Sequence, residues 1–361
     1  MSIDWLQAKR ILIVRLDNLG DVVLATPAIR AIKETLPECQ ITLLASPVGA
    51  QVAEVNPDID SVIIYSAPWM DPWQRLPQDS AREMKIIEQI RNHKFDGAII
   101  FTSYRQSPLP AAYLCYLADV PLRLGSTSGG AGSLLTTRHK PPTTLIHEVE
   151  RGLELVSAVG FSGTQDDLVI EVPSAFRRAV RGWLEDMSIK SPESPLVVIH
   201  PGCSMPARTY PWQSYAQVAD LIKIEMGAEV VLTGAETELD LLTHIKSRMA
   251  TEPKLFYGRS LPELCALIEH ADLVITNNTG PMHLAAALKT PVVALFALTN
   301  PPEQWHPWKV PHKLLFHEVD CRICYSRICP FEHECLASVS PQEVLQASID
   351  LLQGSAQRRI A

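Results

Sequence analysis

Apolar positions along the chain gather in short β-branched runs, separated by longer stretches with apolar residues at helical spacing. The run at 11–14 (ILIV) reads as a strand buried on both faces. After a polar turn, TPAIRAIKETLP has the spacing of a helix from Thr26, with Pro27 in its first turn. Further strands are predicted at 41–45, 61–65, 97–102 and 121–125, with helices at 48–55, 80–93 and 109–118 between them. A helix at 147–159 ends at Gly160, a plausible C-cap, and LVIEVP (168–173) resembles a closing strand. A helix at 174–187 leads into the Pro- and Ser-rich stretch KSPESP (190–195).

The pattern then begins again. Strands are predicted at 196–200, 229–233, 254–257, 272–276, 291–297 and 313–317, and helices at 212–226, 236–249, 261–270, 281–289 and 341–353. Two βα series in one chain imply an α/β fold of two Rossmann-like parallel-sheet domains, each layered by helices. Their switch-point edges are expected to face one another across a cleft. The border is placed near 190, giving domains 1–190 and 191–361, with the last helix able to pack back on the first domain. A length of 361 residues suits two cores of ordinary size better than one.

Composition adds exclusions. With 47% hydrophobic and 20% charged residues the chain is ordinary globular protein, and a net charge of −8 argues against nucleic acid as a partner. No apolar run approaches the roughly 18 residues that a membrane span needs. MSIDWLQAKR lacks the plan of a signal peptide, so a cytoplasmic location is expected. The eight cysteines then read as thiols or metal ligands rather than a disulfide framework.

Candidate chemistry lies at the strand-to-helix turns. The turn Arg15-Leu16-Asp17-Asn18-Leu19-Gly20-Asp21 has one glycine where a dinucleotide-binding turn wants three, and it carries Asp21, which would repel a phosphate. It suits a general base; a helix-capping acid is the equal alternative. His200-Pro201-Gly202-Cys203-Ser204, followed by Arg208, offers backbone N–H groups, a hydroxyl and a cation to a diphosphate, or is a loop with a solvated Arg. In Asn277-Asn278-Thr279-Gly280-Pro281-Met282-His283, Pro281 fits the first helical position, and the helix N-terminus favours an anion. His283 is either a ligand contact or a partly buried, satisfied residue. Glu238 is placed either to accept from ribose hydroxyls or to complement a helix dipole. Cys321, Cys324, Cys329 and Cys335 offer four thiols to a structural zinc, or form a thiol-rich loop.

Taken in order, RLDNLGDVVLATPAIRAIK, HPGCSMPARTYPWQSYAQVA and TNNTGPMHLAAALKTPVVALF resemble the bacterial lipopolysaccharide heptosyltransferases, family nine of the glycosyltransferases. CRICYSRICPFEHECL and the helix after it resemble the tail of that family's second core-assembly members. The resemblance covers most of the chain. It implies a GT-B fold, with acceptor on the first domain and nucleotide sugar on the second. It further implies inverting, metal-independent transfer from an ADP-heptose to a lipid-linked core or other envelope glycan, with no cofactor required. Asp21 matches the family's catalytic base. Ser204, Arg208, Thr279, Gly280 and Pro281 match its diphosphate contacts, and Glu238 is the nearest match to an acid that contacts ribose. Asn278 stands where the family usually carries Asp, so a hydrogen-bonding group is kept and a charge lost.

Acceptors of this family carry phosphates, which makes Arg15, Arg105, Arg123, Arg138 and Lys140 candidate acceptor contacts, with solvated surface charge the alternative for most. The loop at 66–77, with Trp69, Met70 and Trp73, is a candidate for peripheral contact with the inner membrane. Competing readings are a nicotinamide-dependent dehydrogenase, which lacks its G-x-G-x-x-G turn here, and a non-catalytic nucleotide-sugar-binding protein, which would not need Asp21.

Overall fold

The computed structural model describes residues 4–70, 75–103, 105–189 and 194–360. The chain forms two compact units, Met1–Glu171 and Val172–Ala361. In the first, β1 (Arg10–Arg15), α1 (Leu19–Thr35), β2 (Gln40–Ala45), β3 (Ser61–Ile64), α2 (Ser80–His93), β4 (Gly97–Ile100), α3 (Leu109–Leu117), β5 (Leu122–Ser126), β6 (Thr137–His139) and α4 (Glu148–Ser157) follow one another. The strands form one parallel sheet in the order β3-β2-β1-β4-β5-β6. Ile13 lies opposite both Leu43 and Ile99 and is fully buried, as a central parallel strand requires. Strand order reverses between β1 and β4, and the loops at the carboxyl ends of these two strands hold the groups of interest.

In the second unit, α5 (Ser174–Asp186) precedes β7 (Leu196–His200), α6 (Trp212–Met226), β8 (Glu229–Gly234), α7 (Leu239–Arg248), β9 (Lys254–Tyr257) and α8 (Leu261–His270). Then come β10 (Leu273–Asn277), α9 (Gly280–Ala287), β11 (Val292–Leu295), α10 (Pro302–Trp305), β12 (His312–Leu315), α11 (Glu334–Ala337) and α12 (Pro341–Ile360). The parallel sheet runs β12-β11-β10-β7-β8-β9 and reverses between β7 and β10. Its core packs Val197, Tyr215, Leu232 and Ile275 with Val344 and Leu351 of α12.

Four expectations are corrected. First, the units part at Glu171, ahead of the Pro- and Ser-rich stretch. Helix α5 belongs to the second unit because Arg177 grips Glu269 of α8 through two bonds of 2.6 and 2.7 Å, and Trp183 packs edge-on against Phe256. Residues 190–193 of the expected border lie outside the described residues. Second, α12 packs within the second unit, on α6 and β12. Third, 168–173 is no strand; it is tied to the first unit by Val169 N–H to Thr26 Oγ1 (2.9 Å) and Glu171 N–H to the Val55 carbonyl (2.7 Å). Fourth, α1 starts at Leu19, so Pro27 lies inside it. An internal proline removes one helical hydrogen bond, at the carbonyl four residues back. That carbonyl belongs to Val23, and Thr26 Oγ1 donates to it at 2.7 Å instead. Strand β6 was not expected, since Thr-Arg-His has no apolar run.

Candidate functional site

The early start of α1 puts Asp21 in its first turn, where Asp21 Oδ2 accepts the Asn18 backbone N–H at 3.1 Å. Capping and catalytic roles are therefore compatible, because the cap occupies one oxygen. The other, Oδ1, takes Arg15 Nη2 at 3.0 Å and lies 3.4 Å from Ser103 Oγ, which follows β4. Asp21 keeps 13% of its side-chain surface open, against 3% for Arg15. It lines a pocket with Arg15, Phe101, Ser126, His139, Glu148 and Arg151.

Arg15 is the hub. Its Nε lies 3.2 Å from Asp17 Oδ2, and its Nη2 lies 3.7 Å from Glu148 Oε2 and donates to Ser103 Oγ at 3.2 Å. Glu148 Oε1 pairs with Arg151, and Asp17 Oδ1 accepts Gln106 Nε2 at 2.5 Å. Burial works against the charge on Arg15, but Asp17, Asp21 and Glu148 outweigh it and keep the guanidinium protonated. Burial also raises the Asp17 carboxyl to about 6, more than Arg15 can offset, and raises Glu148 in the same way. His139 bonds Ser126 Oγ at 3.2 Å, and burial lowers its pKa.

The five basic candidates separate by environment. Arg15 is enclosed by carboxylates, so its guanidinium is engaged within the first unit, where it lines the pocket beside Asp21. Arg123 is engaged too: it is 8% exposed, and its guanidinium donates to the carbonyls of Leu134 and Ser133 (both 2.8 Å) and of Val120, so it fastens a loop. Arg138 and Lys140 are exposed near β6, and Arg138 reaches the Gly129 carbonyl at 3.3 Å. Arg105 lines a cavity of about 290 Å³ with Asp17, Trp69, Met70 and Gln106, at the low end of small-molecule sites. Trp69 packs edge-on against Tyr65, and both Trp69 and Met70 are half-buried against their own unit's core. Trp73 lies outside the described residues. No helix among the described residues is long and apolar enough to cross a membrane.

In the second unit the loops after β7 and β10 come together. Asn277 is fully buried and joins them: its amide donates to the Pro201 carbonyl (2.8 Å) and its Oδ1 accepts Tyr210 N–H (3.1 Å). Arg208 Nε donates to Thr299 Oγ1 at 2.9 Å, and Arg208 Nη1 lies 3.5 Å from the Asn278 carbonyl. Thr279 is the N-cap of α9, Gly280 opens that helix and Pro281 follows in its first turn. Ser204 is exposed on the neighbouring loop. Glu238 Oε2 accepts Ala235 N–H at 2.8 Å, and the carboxylate lies over Gly202, where a Cβ would come within 2.0 Å of Glu238 Oε1. Beside it, burial lowers the pKa of His200 although Glu238 acts in the other direction.

Two of the expected donor contacts are deeply buried. Asn278 is 2% exposed and its amide donates to Asn300 Oδ1 at 2.7 Å, so it braces the loop that carries Thr299. His283 is 4% exposed, on the buried face of α9 itself. The four clustered cysteines are half-buried free thiols. Cys329 Sγ accepts the N–H groups of Phe331 (3.4 Å) and His333 (3.3 Å). Among the described residues no three His, Cys, Asp or Glu side chains converge to hold a metal ion, so the zinc alternative lacks its tetrahedral set. The loop instead braces the segment that carries Arg208, with Ala207 N–H to the Arg327 carbonyl (2.8 Å) and His333 Nε2 to the Pro206 carbonyl (2.9 Å).

Sequence reasoning missed Ser103, Gln106, Glu148, Arg151 and Thr299. The one signal for Glu148 was its place at the start of a helix, which capping explained as well.

Comparison with known proteins places the chain in a family. The profile of glycosyltransferase family 9 (heptosyltransferase) matches residues 83–334. Lipopolysaccharide heptosyltransferase 3 of Escherichia coli K12 is 26% identical over 330 residues, covering 87% of this chain and 92% of that protein. A crystal structure of a family 9 glycosyl transferase from Veillonella parvula superposes with a TM-score of 0.80 at 23% identity, covering 98% of this chain and 99% of that one. E. coli ADP-heptose lps heptosyltransferase II gives 0.75 at 21% identity, over 96% and 99%. Two parallel six-stranded sheets with flanking helices make the fold GT-B. With Asp21 held at one strand-to-helix junction and Arg208 beside α9 at another, and with the family profile spanning well over half its length, this chain belongs to glycosyltransferase family 9, the heptosyltransferases.

Proposed function

We propose that the protein transfers a heptose from ADP-heptose to a sugar hydroxyl of a lipid-linked lipopolysaccharide core acceptor, with inversion and without a metal ion. The observation that carries this reading is the Asp21 carboxylate, fixed by Arg15 and the Asn18 N–H and open to a pocket at the β1/β4 switch point. A base must reach within about 2.6–3.2 Å of the hydroxyl whose proton it takes. Asp21 takes that proton while the hydroxyl oxygen attacks the anomeric carbon from the face opposite the diphosphate. The transition state resembles an oxocarbenium ion, as in glycoside hydrolysis, and negative charge moves onto ADP.

Stabilising that charge falls to Arg208 and the N–H groups that open α9, aided by the exposed Ser204 hydroxyl. Glu238 is assigned to the ribose hydroxyls of the donor. Arg105, Arg138 and Lys140 are the remaining cations proposed for acceptor phosphates. A pure nucleotide-sugar-binding protein would need Asp21 only as a helix cap and not as a base in a pocket, and the turn after β1 lacks the glycines a nicotinamide dinucleotide needs.

The test is to incubate the protein with ADP-heptose and a truncated lipid A–core acceptor, with and without EDTA, and to analyse products by mass spectrometry and NMR. The expected result is addition of one heptose, an anomeric configuration opposite to the donor's, and a rate unchanged by EDTA. Retained configuration or loss of rate in EDTA would overturn the inverting, metal-free mechanism, and failure with ADP-heptose alone among nucleotide sugars would overturn the donor.

A further inference from the structure

We infer that Asp17 and Glu148 are positioning residues for Asp21, clamping the Arg15 guanidinium from two sides so that its Nη2 is delivered to the Asp21 carboxylate. The inference rests on the reading of Asp21 as the base. A guanidinium is a rigid planar fork, so charges set against two of its edges orient the whole group. Both contacts are ionic: Asp17 Oδ2 lies 3.2 Å from Nε without a hydrogen bond to it, and Glu148 Oε2 stands 3.7 Å from Nη2. Each clamp has its own anchor. Gln106 holds the second oxygen of Asp17, and its Oε1 accepts Ser103 N–H at 3.1 Å; Arg151 holds the second oxygen of Glu148.

Three parts of the first unit thus fix one side chain: the turn after β1, the loop after β4, and α4. Asp17 and Glu148 are only 7% and 4% exposed and are tied in turn by Gln106 and Arg151, which suits them to act through Arg15. The consequence is geometric. With Oδ1 on Arg15 and Oδ2 on the Asn18 N–H, the carboxylate plane of Asp21 is set against the backbone. A misplacement of about 1 Å in such a group can lower a rate roughly 100-fold.

Asp17 also gives the clamp a pH dependence. It faces Arg15 on β1, Asp21 on α1, Gln106 after β4 and Glu148 on α4, with Arg105 lining the same cavity. When Asp17 gains a proton as pH falls through about 6, the ionic hold on Nε is lost.

The experiment compares full-length wild type, Asp17→Asn, Glu148→Gln and Asp21→Asn, using ADP-heptose and the truncated acceptor between pH 5 and 8. Both clamp variants should lose kcat by roughly 30- to 100-fold with KM for each substrate nearly unchanged. The fall in wild-type kcat below about pH 6 should be absent from Asp17→Asn. ADP affinity, which is assigned to the other unit, should stay at the wild-type value in both. A clamp variant with wild-type kcat overturns the inference, as does a raised acceptor KM at unchanged kcat, or a loss of ADP affinity alongside rate. Wild-type turnover by Asp21→Asn would instead remove the base on which the inference rests; an inactive Asp21→Asn beside unimpaired clamp variants would remove only the positioning.

Discussion

A carboxylate that takes a proton must be reachable and held still, and burial opposes the first of these. Asp21 meets both, with part of its surface open and both oxygens in charge-assisted or backbone hydrogen bonds. Asp17, more deeply buried, bears the cost. Its carboxyl is raised from 3.8 to about 6, so the folded state keeps a proton that the unfolded state has released, and stability falls as pH rises between those values. Above about 6 the penalty is constant. Asp17→Asn carries no ionisation at this site, so its stability relative to wild type should rise by roughly 2–3 kcal/mol between pH 4 and pH 7. Urea denaturation at both pH values measures the difference; a gap that shrinks with rising pH would contradict the assignment. At this scale the sequence was least legible. Arg15 and Arg123 read as surface cations because nothing local shows that one is ringed by carboxylates and the other by carbonyls. Ser103 lies 88 positions from Arg15, a contact made only by the β1/β4 neighbourhood.

Among the elements, α1 shows how a local signal is overridden. Pro27 is a good first-turn residue, and the helix was expected to begin there. The chain instead carries it inside the helix because Thr26 donates to the carbonyl that Pro27 leaves without its usual partner. The same hydroxyl accepts the N–H of Val169, so it serves the helix and the segment docked beside it. Thr26→Val should leave both backbone groups unsatisfied in a fully buried site, costing about 2–4 kcal/mol in chemical denaturation, while Thr26→Ser should recover most of it. A neutral Thr26→Val would mean that the proline is accommodated by other means. Most strands were legible from their apolar runs, although LVIEVP (168–173) has such a run and forms no strand. The three-residue β6 was not, because its pairing depends on β5 and on no hydrophobic run of its own.

In the molecule as a whole, the same construction occurs twice. Each unit reverses its strand order once, between β1 and β4 or between β7 and β10, and each gathers its polar groups on the loops beside that reversal. This repetition was visible in the alternation of strands and helices, and the three motifs lie at strand-to-helix turns beside the reversals. The border was misplaced because the polar stretch at 190–195 looks like a linker, whereas the tie between Arg177 and Glu269 that assigns α5 is a tertiary contact. Division of labour between the units is the central claim: proton removal at Asp21 in one, diphosphate binding at Arg208 and α9 in the other. The most direct test is single-turnover transfer from ADP-heptose by wild type and Asp21→Asn, with ADP affinity measured on the same samples by calorimetry. The account predicts a transfer rate lower by about 10²- to 10⁴-fold at unchanged ADP affinity; transfer by Asp21→Asn at the wild-type rate would contradict it.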